Sequence, residues 1–139
     1  MARAEPGMFW DRANVRVIEK PPEMPIARVR YWDLAGTDDE SGGKDPAWTA
    51  GVLMSQLRDG TVVVEDSARC RRDPGGVEEF FAEVAAADTA AYGRIDQVIE
   101  QDPGQAGKFE VATFRKNFPD HDIRSWRPTG DKVTRFARP

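Results

Sequence analysis

The sequence contains one cysteine, one histidine and no long apolar segment. Cys70 alone cannot form an intramolecular disulfide, and with His121 it cannot build a zinc site of four cysteines or of two cysteines and two histidines. No apolar run approaches the ~18–20 residues that cross a bilayer, and the first residues lack the apolar core of a signal peptide. These absences predict a soluble, cytoplasmic protein with no membrane partner.

The sequence also lacks an overall excess of positive charge. Its 139 residues include 20 Lys and Arg against 24 Asp and Glu, which gives a formal net charge of −4. Contact with a nucleic acid would therefore require a local basic patch. Residues 115–139 carry seven Lys and Arg against three Asp, so the positive charge is concentrated near the C-terminus. With 40% hydrophobic residues, the chain suits one domain with a modest core.

The hydrophobic pattern predicts three strands followed by an alternation of helices and strands. Apolar and β-branched residues favour strands, an Asp-Gly pair predicts a hairpin turn, and an apolar stripe at helical spacing follows Asp73. The predicted order is strands 28–35, 48–57 and 62–71, helix 74–89, strand 96–100, helix 109–118 and strand 122–126. This order predicts an α/β domain over residues 28–139, with a five-stranded mixed sheet, and a proline-containing lead-in over residues 1–27.

Two carboxylates stand at the ends of predicted strands. Asp33 closes the first strand and Glu100 closes the fourth. A right-handed crossover sets these strands parallel, and if they are neighbours both carboxylates lie at the carboxyl edge, where open α/β sheets bind ligands. Two carboxylates held close repel each other, and a divalent cation with oxygen ligands relieves the repulsion. For either residue alone, the alternative is a solvated turn residue or a helix cap.

Four segments of the chain resemble one protein family. They are residues 30–37 (RYWDLAGT), 45–52 (DPAWTAGV), 100–108 (EQDPGQAGK) and 127–132 (RPTGDK). In this order and with these spacings, they resemble the nuclease domain of the large terminase subunit of tailed bacteriophages. The resemblance extends from about Gly7 to the last residue.

The resemblance implies a ribonuclease H-like fold and an endonuclease that cuts double-stranded viral DNA concatemers during genome packaging. It implies two Mg²⁺ or Mn²⁺ ions held by three acidic residues. Asp33 matches the first acid and Glu100 the second, whereas the third belongs to a C-terminal Asp-rich motif that we expect this chain to lack. No P-loop is present. The implied partners are DNA, the terminase ATPase domain, the small subunit and the portal, in the bacterial host cytoplasm.

Weaker candidates surround this pair. Asp102 and Asp45 are possible additional metal ligands, but Asp102 is also interpreted as a helix cap and Asp45 as a solvated loop residue. A second basic cluster lies at residues 69–72, where an exposed strand end is the alternative, and no neighbouring aromatic residues in the sequence predict base stacking. The predicted DNA contacts, for which a solvated basic tail is the alternative, are Lys108, Arg127, Lys132 and Arg135.

Two other functions remain open at this stage. Because we expect the third acid to be missing, the chain is also interpretable as a non-catalytic module that binds DNA or docks to a partner. A ribonuclease H-like nuclease acting on branched DNA or on an RNA–DNA hybrid would share the same sheet and the same acids. With two acids, we expect weak metal binding and poor activity.

Overall fold

A computed structural model describes residues 11–35 and 47–130 of the chain. The described residues form an α/β unit, as predicted, preceded by a short 3-10 turn at Arg12–Asn14. The elements are β1 (Ala27–Asp33), β2 (Thr49–Gln56), β3 (Val62–Cys70), α1 (Pro74–Tyr92), β4 (Asp96–Glu100), α2 (Gln105–Asn117) and β5 (Asp122–Trp126). Within these described ranges, no helix is both long and apolar enough to cross a membrane.

The five strands form one mixed sheet in the order β3-β2-β1-β4-β5. The first three strands pair antiparallel, while β4 pairs parallel with both β1 and β5. The parallel orientation predicted for the first and fourth strands is therefore confirmed, and the two strands are neighbours. Their register places Trp32 opposite Ile99, so both strands reach their carboxyl ends at the same edge of the sheet.

Local sequence signals explain where two of the elements begin and end. At the turn between β2 and β3, the carboxylate of Asp59 accepts a hydrogen bond from the Thr61 amide, and Gly60 adopts a φ of +88°. At the start of α1, the Asp73 side chain accepts from the Gly76 amide at 2.8 Å. The Asp-Gly hairpin and the helix cap were both predictable from residue type.

Both helices pack on one face of the sheet. The rings of Trp32 on β1 and Phe114 on α2 each have their centroids 5.0 Å from the ring of Phe81 on α1. Ile99 on β4 and Val111 on α2 are buried in the same cluster. Within the described residues, no helix contributes to the opposite face, which carries alternate residues of the strands such as Tyr31. We call this second side the open face.

Trp32 fits into the core because position 51 has no side chain. A Cβ atom on Gly51, the residue opposite Trp32 on β2, would lie 2.8 Å from the indole ring. The indole Nε1 donates a hydrogen bond of 2.8 Å to the side-chain oxygen of Gln97, so the buried polar atom is satisfied. The indole thus bridges β2 and β4 across β1.

A buried ion pair lies beneath α1. Arg30 and Asp88 are each 3% exposed, and Nε of Arg30 donates to Asp88 at 2.9 Å while a second guanidinium nitrogen binds the other carboxylate oxygen. The remaining guanidinium nitrogen donates to the Gly51 carbonyl and to Asp66, and Gln97 donates to Asp88 at 3.2 Å. This network connects β1 to α1 and to three other strands, β2, β3 and β4.

Helix α2 begins earlier than predicted. It starts at Gln105 rather than at Phe109, because Gly104 occupies the position before the helix with a φ of +103°. Gly107 lies inside the helix, and a Cβ atom there would lie within 2.2 Å of the Asp102 carbonyl oxygen. The glycines that indicated a loop in the sequence instead allow α2 to pack against the segment that follows β4.

Removing one partner of the buried ion pair should strongly destabilise the fold. We expect Asp88→Ala to lower the free energy of unfolding by about 3–5 kcal/mol, because the Arg30 charge stays buried without its bidentate partner. Asp66→Ala is the matched control: it removes the other carboxylate from the same guanidinium, but the Asp66 side chain is 53% exposed. Its cost should be about 1 kcal/mol or less. Urea denaturation measures both, and equal losses would contradict this account.

Candidate metal and nucleic-acid site

Asp33 and Glu100 lie side by side at the carboxyl edge of the sheet. The parallel register pairs Tyr31 with Val98 and Trp32 with Ile99, so the next residues on the two strands are Asp33 and Glu100. Neighbouring strands lie about 4.8 Å apart, and successive side chains alternate between faces. Since Trp32 and Ile99 point into the core, both carboxylates belong to the open face.

A tyrosine on β1 fixes the Glu100 carboxylate. The Tyr31 hydroxyl donates a hydrogen bond of 2.8 Å to Oε2 of Glu100. Tyr31 precedes Asp33 by two residues, so the alternation of the strand puts both on the same face. Sequence reasoning missed this role because the contact depends on the pairing of β1 with β4.

The chemistry of the pair fits a hard divalent cation. Mg²⁺ is commonly bound by one or two carboxylates, with waters and substrate phosphates completing its octahedral shell. Asp33 and Glu100 supply two carboxylates from adjacent strands at one sheet edge. The residues that the structure describes contain no group of three or more His, Cys, Asp or Glu side chains able to hold a metal. Within this part of the chain, the candidate ligand set is therefore the two carboxylates.

The two weaker ligand candidates have different outcomes. Asp102 is exposed in the segment between β4 and α2. Its interpretation as a helix cap is wrong, because Gly104 precedes α2 and no side chain caps that helix. Asp102 instead contributes to the electrostatics of Glu110, whose pKa is raised first by burial and then by the charge of Asp102. Asp45 lies outside the described residues.

Two of the predicted DNA contacts lie near the carboxyl edge. Lys108 is exposed in the first turn of α2, the helix that follows β4. Arg127 is exposed directly after Trp126, the β5 residue that pairs with Glu100. Lys132 and Arg135 lie outside the described residues. Lys108 therefore lies shortly after the end of β4, and Arg127 lies immediately after the end of the neighbouring strand β5.

The basic cluster at the end of β3 has an aromatic neighbour that sequence reasoning missed. The guanidinium carbons of Arg69 and Arg71 lie 4.6 and 4.9 Å from the ring centroid of Trp48. Trp48 is far from both arginines in the sequence, but β2 and β3 pair antiparallel and bring them together. The register of these two strands was the signal that would have revealed the contact.

Cys70 lies between these arginines in the sequence and is buried in the core. Its side chain is 7% exposed and belongs to the core cluster beneath α1. Burial raises the pKa of the Cys70 thiol, and the nearby charge of Arg72 offsets this only in part. Cys70 is thus a small buried residue at the end of β3.

The raised pKa of Glu110 makes a prediction about stability and pH. A carboxyl group with a raised pKa in the folded state adds stability at low pH, and this contribution is lost as the pH rises through the folded-state pKa. We therefore expect Glu110→Gln to be modestly more stable than the wild type near pH 7, with the difference shrinking below the ordinary Glu pKa of 4.5. Urea denaturation near pH 7 and near pH 4 measures this difference. Glu83→Gln, an exposed substitution on α1, is the control; a Glu110→Gln difference independent of pH would contradict the prediction.

This chain was compared with protein-family models, with curated proteins and with solved structures, and none of them matches it. The α/β fold rests on the element order and the sheet pairing described above. The carboxyl edge of the sheet is the feature that indicates a function: it holds two carboxylates and a tyrosine that binds one of them, with basic residues nearby.

Proposed function

We propose that this chain is the nuclease domain of a phage terminase large subunit, a metal-dependent endonuclease with a ribonuclease H-like fold. In this proposal it cuts double-stranded viral DNA concatemers during genome packaging. The observation that carries the proposal is the position of Asp33 and Glu100 on adjacent parallel strands, at one edge and on one face. The four sequence segments that resemble the terminase family support it independently.

The sheet supports the finer fold assignment. Three antiparallel strands are followed by two parallel strands, with a helix before each of the latter. This arrangement agrees with the strand order that the family resemblance implies. It leaves the carboxyl ends of β1, β4 and β5 at a common edge, where a long substrate can approach the open face.

Each residue of the edge has a role in the proposal. Asp33 and Glu100 would hold Mg²⁺ or Mn²⁺, and Tyr31 orients the Glu100 carboxylate through its hydroxyl. When bound, two such ions activate water and stabilise the leaving oxygen in phosphodiester hydrolysis. Lys108 and Arg127 would bind backbone phosphates of the DNA. The terminase ATPase domain, the small subunit, the portal and the bacterial host cytoplasm belong to the same proposal.

Cleavage of supercoiled plasmid in Mn²⁺ tests the carboxylates. We expect the wild-type chain to nick the plasmid, and we expect Asp33→Asn and Glu100→Gln to abolish nicking because each removes a charged ligand. Glu83→Gln changes an exposed carboxylate on α1 in the same way and should nick like the wild type. Equal nicking by all four proteins would contradict the catalytic assignment.

Calorimetric titration with Mn²⁺ covers the case in which hydrolysis is too slow to detect. We expect Mn²⁺ to bind the wild type and the Glu83→Gln control, and to bind Asp33→Asn and Glu100→Gln more weakly. Absence of carboxylate-dependent Mn²⁺ binding, together with DNA binding that survives both substitutions, would instead favour the non-catalytic module. Faster cleavage of branched DNA or of an RNA–DNA hybrid than of linear duplex would favour the other ribonuclease H-like nuclease.

Tyr31→Phe tests whether the tyrosine orients Glu100. The substitution removes the hydroxyl that donates to Glu100 and leaves the ring in place. Loss of such a partner to a metal ligand costs about 10–100-fold in metal affinity or activity. We expect weaker Mn²⁺ binding and slower nicking, with a urea midpoint close to that of the wild type. Unchanged Mn²⁺ affinity would show that Tyr31 has no part in the site.

A further inference from the structure

We propose that the arginines at the end of β3 form a second contact site for the phosphate backbone of duplex DNA, beside the carboxylate pair. This β3 arginine cluster consists of Arg69, Arg71 and Arg72 with the aromatic rings of Trp48 and Phe80. The inference rests on the proposed function, because it extends the path of the same substrate across the same edge of the sheet.

The geometry of the cluster holds its charges in place. Arg69 and Arg71 both lie over Trp48, an indole that is 48% exposed, and the guanidinium carbon of Arg72 lies 5.5 Å from the centroid of Phe80 on α1. A Cβ atom on Gly76 would come within 2.8 Å of the Arg72 Cβ, so the absent side chain lets Arg72 lie against the first turn of α1. All three arginines are nevertheless exposed to solvent.

Arg69 and Arg72 differ electrostatically from several other arginines of the sheet and its connections, which are paired with carboxylates. Salt bridges of 2.7–3.0 Å join Arg28 to Glu65, Arg94 to Asp122 and Arg124 to Asp96. Arg30 is paired in the core. Throughout residues 11–35 and 47–130, neither Arg69 nor Arg72 forms a salt bridge with a carboxylate; each stacks on an aromatic ring instead. The positive charges of Arg69 and Arg72 are therefore kept at the surface, whereas those of Arg28, Arg94 and Arg124 are neutralised by carboxylates.

The position of the cluster connects it to the proposed metal site. Asp33 pairs with Ala50, and Ala50 pairs with Arg69, so these three residues form a row across β1, β2 and β3. Two strand spacings amount to about 10 Å. The row lies on the open face, because the neighbouring residues Thr49 and Cys70 are buried. Among the residues that the structure describes, the side chain between Asp33 and Arg69 in this row is the small one of Ala50, so a duplex that presents one phosphate to the carboxylates lies within reach of Arg69.

Stacking on aromatic rings prepares an arginine for phosphate. A guanidinium that lies over a ring keeps its N–H donors at the edge of its plane, where they match phosphate oxygens. Holding the side chain before the ligand arrives also lowers the entropic cost of binding. The ring of Trp48 is occupied by guanidinium groups, so the site favours contact with the backbone over stacking of bases. The expected recognition is independent of sequence.

Anisotropy of a fluorescein-labelled duplex tests the inference, measured in EDTA over a series of salt concentrations. Each phosphate contact contributes about −0.9 to the slope of log K against log [salt]. We expect Arg69→Gln and Arg72→Gln each to reduce the magnitude of the slope by about 1, and to weaken binding by ~5–10-fold near 0.1 M salt. Arg58→Gln removes the same charge from the turn at the opposite end of β3 and should change neither quantity.

Substitutions of Trp48 test separately whether its ring positions the arginines for DNA binding. Trp48→Leu keeps every charge but removes the ring on which two arginines lie, so affinity should fall with a smaller change in slope than in Arg69→Gln. Trp48→Phe should restore most of the affinity, because a phenyl ring still supports a guanidinium. Circular dichroism and urea denaturation establish that each variant is folded. Equal affinity of Trp48→Leu and the wild type would overturn the positioning role.

The binding assay separates this inference from the proposed nuclease activity. Binding in EDTA needs no metal, so the dependence of duplex binding on Arg69 and Arg72 should persist in the Asp33→Asn background. If nicking fails while binding still depends on Arg69 and Arg72, the arginine site stands and the nuclease assignment falls. If nicking depends on Asp33 while the Arg69 and Arg72 variants bind like Arg58→Gln, the arginine site is overturned alone. Tighter binding of a hairpin RNA than of the DNA duplex would overturn the assignment to DNA.

Discussion

The buried pair of Arg30 and Asp88 is the interaction on which the arrangement of the sheet depends. Two charges that are each 3% exposed are costly to bury, and here the cost is offset by bidentate geometry and by hydrogen bonds that use the remaining polar atoms. The pair fixes α1 over the centre of the sheet and holds β1 in place between β2 and β4. Arg30 is three residues before Asp33, so the same network sets where the carboxyl edge lies.

Successive residues of β1 contribute alternately to the core and to the candidate site. Arg30 and Trp32 point to the helices and anchor the core, while Tyr31 and Asp33 point to the open face and contribute to the candidate site. A shift of register by one residue would bury the site residues and expose the anchors. Because Arg30 and Trp32 are buried, they fix the register of β1, and this register keeps Tyr31 and Asp33 on the open face. The chemistry depends on a central strand rather than on loops, which makes the positions of the carboxylates precise.

Much of the fold could be predicted because its signals are local. The Asp-Gly turn, the Asp73 cap and the helical stripe of α1 follow from residue type and spacing, and the parallel placement of β1 and β4 follows from an antiparallel meander and a helical crossover. The prediction was less accurate where contact between distant segments decides the structure. Gly107 indicated a loop but lets α2 approach the segment that follows β4, and Trp48 meets Arg69 only through the pairing of β2 with β3. The hydrogen bond from the Tyr31 hydroxyl to Glu100 likewise depends on the pairing of two strands that are distant in the sequence, β1 and β4.

The contact between Trp32 and Gly51 has an evolutionary consequence. The indole occupies the volume that a side chain at position 51 would need, and its nitrogen satisfies Gln97 on the far side of β1. Homologues that enlarge residue 51 should therefore carry a smaller residue at position 32 and, at position 97, a residue that still donates to Asp88 without needing the indole donor. These three positions should covary as a unit, and that triplet offers a signature for finding distant relatives whose overall sequences have diverged.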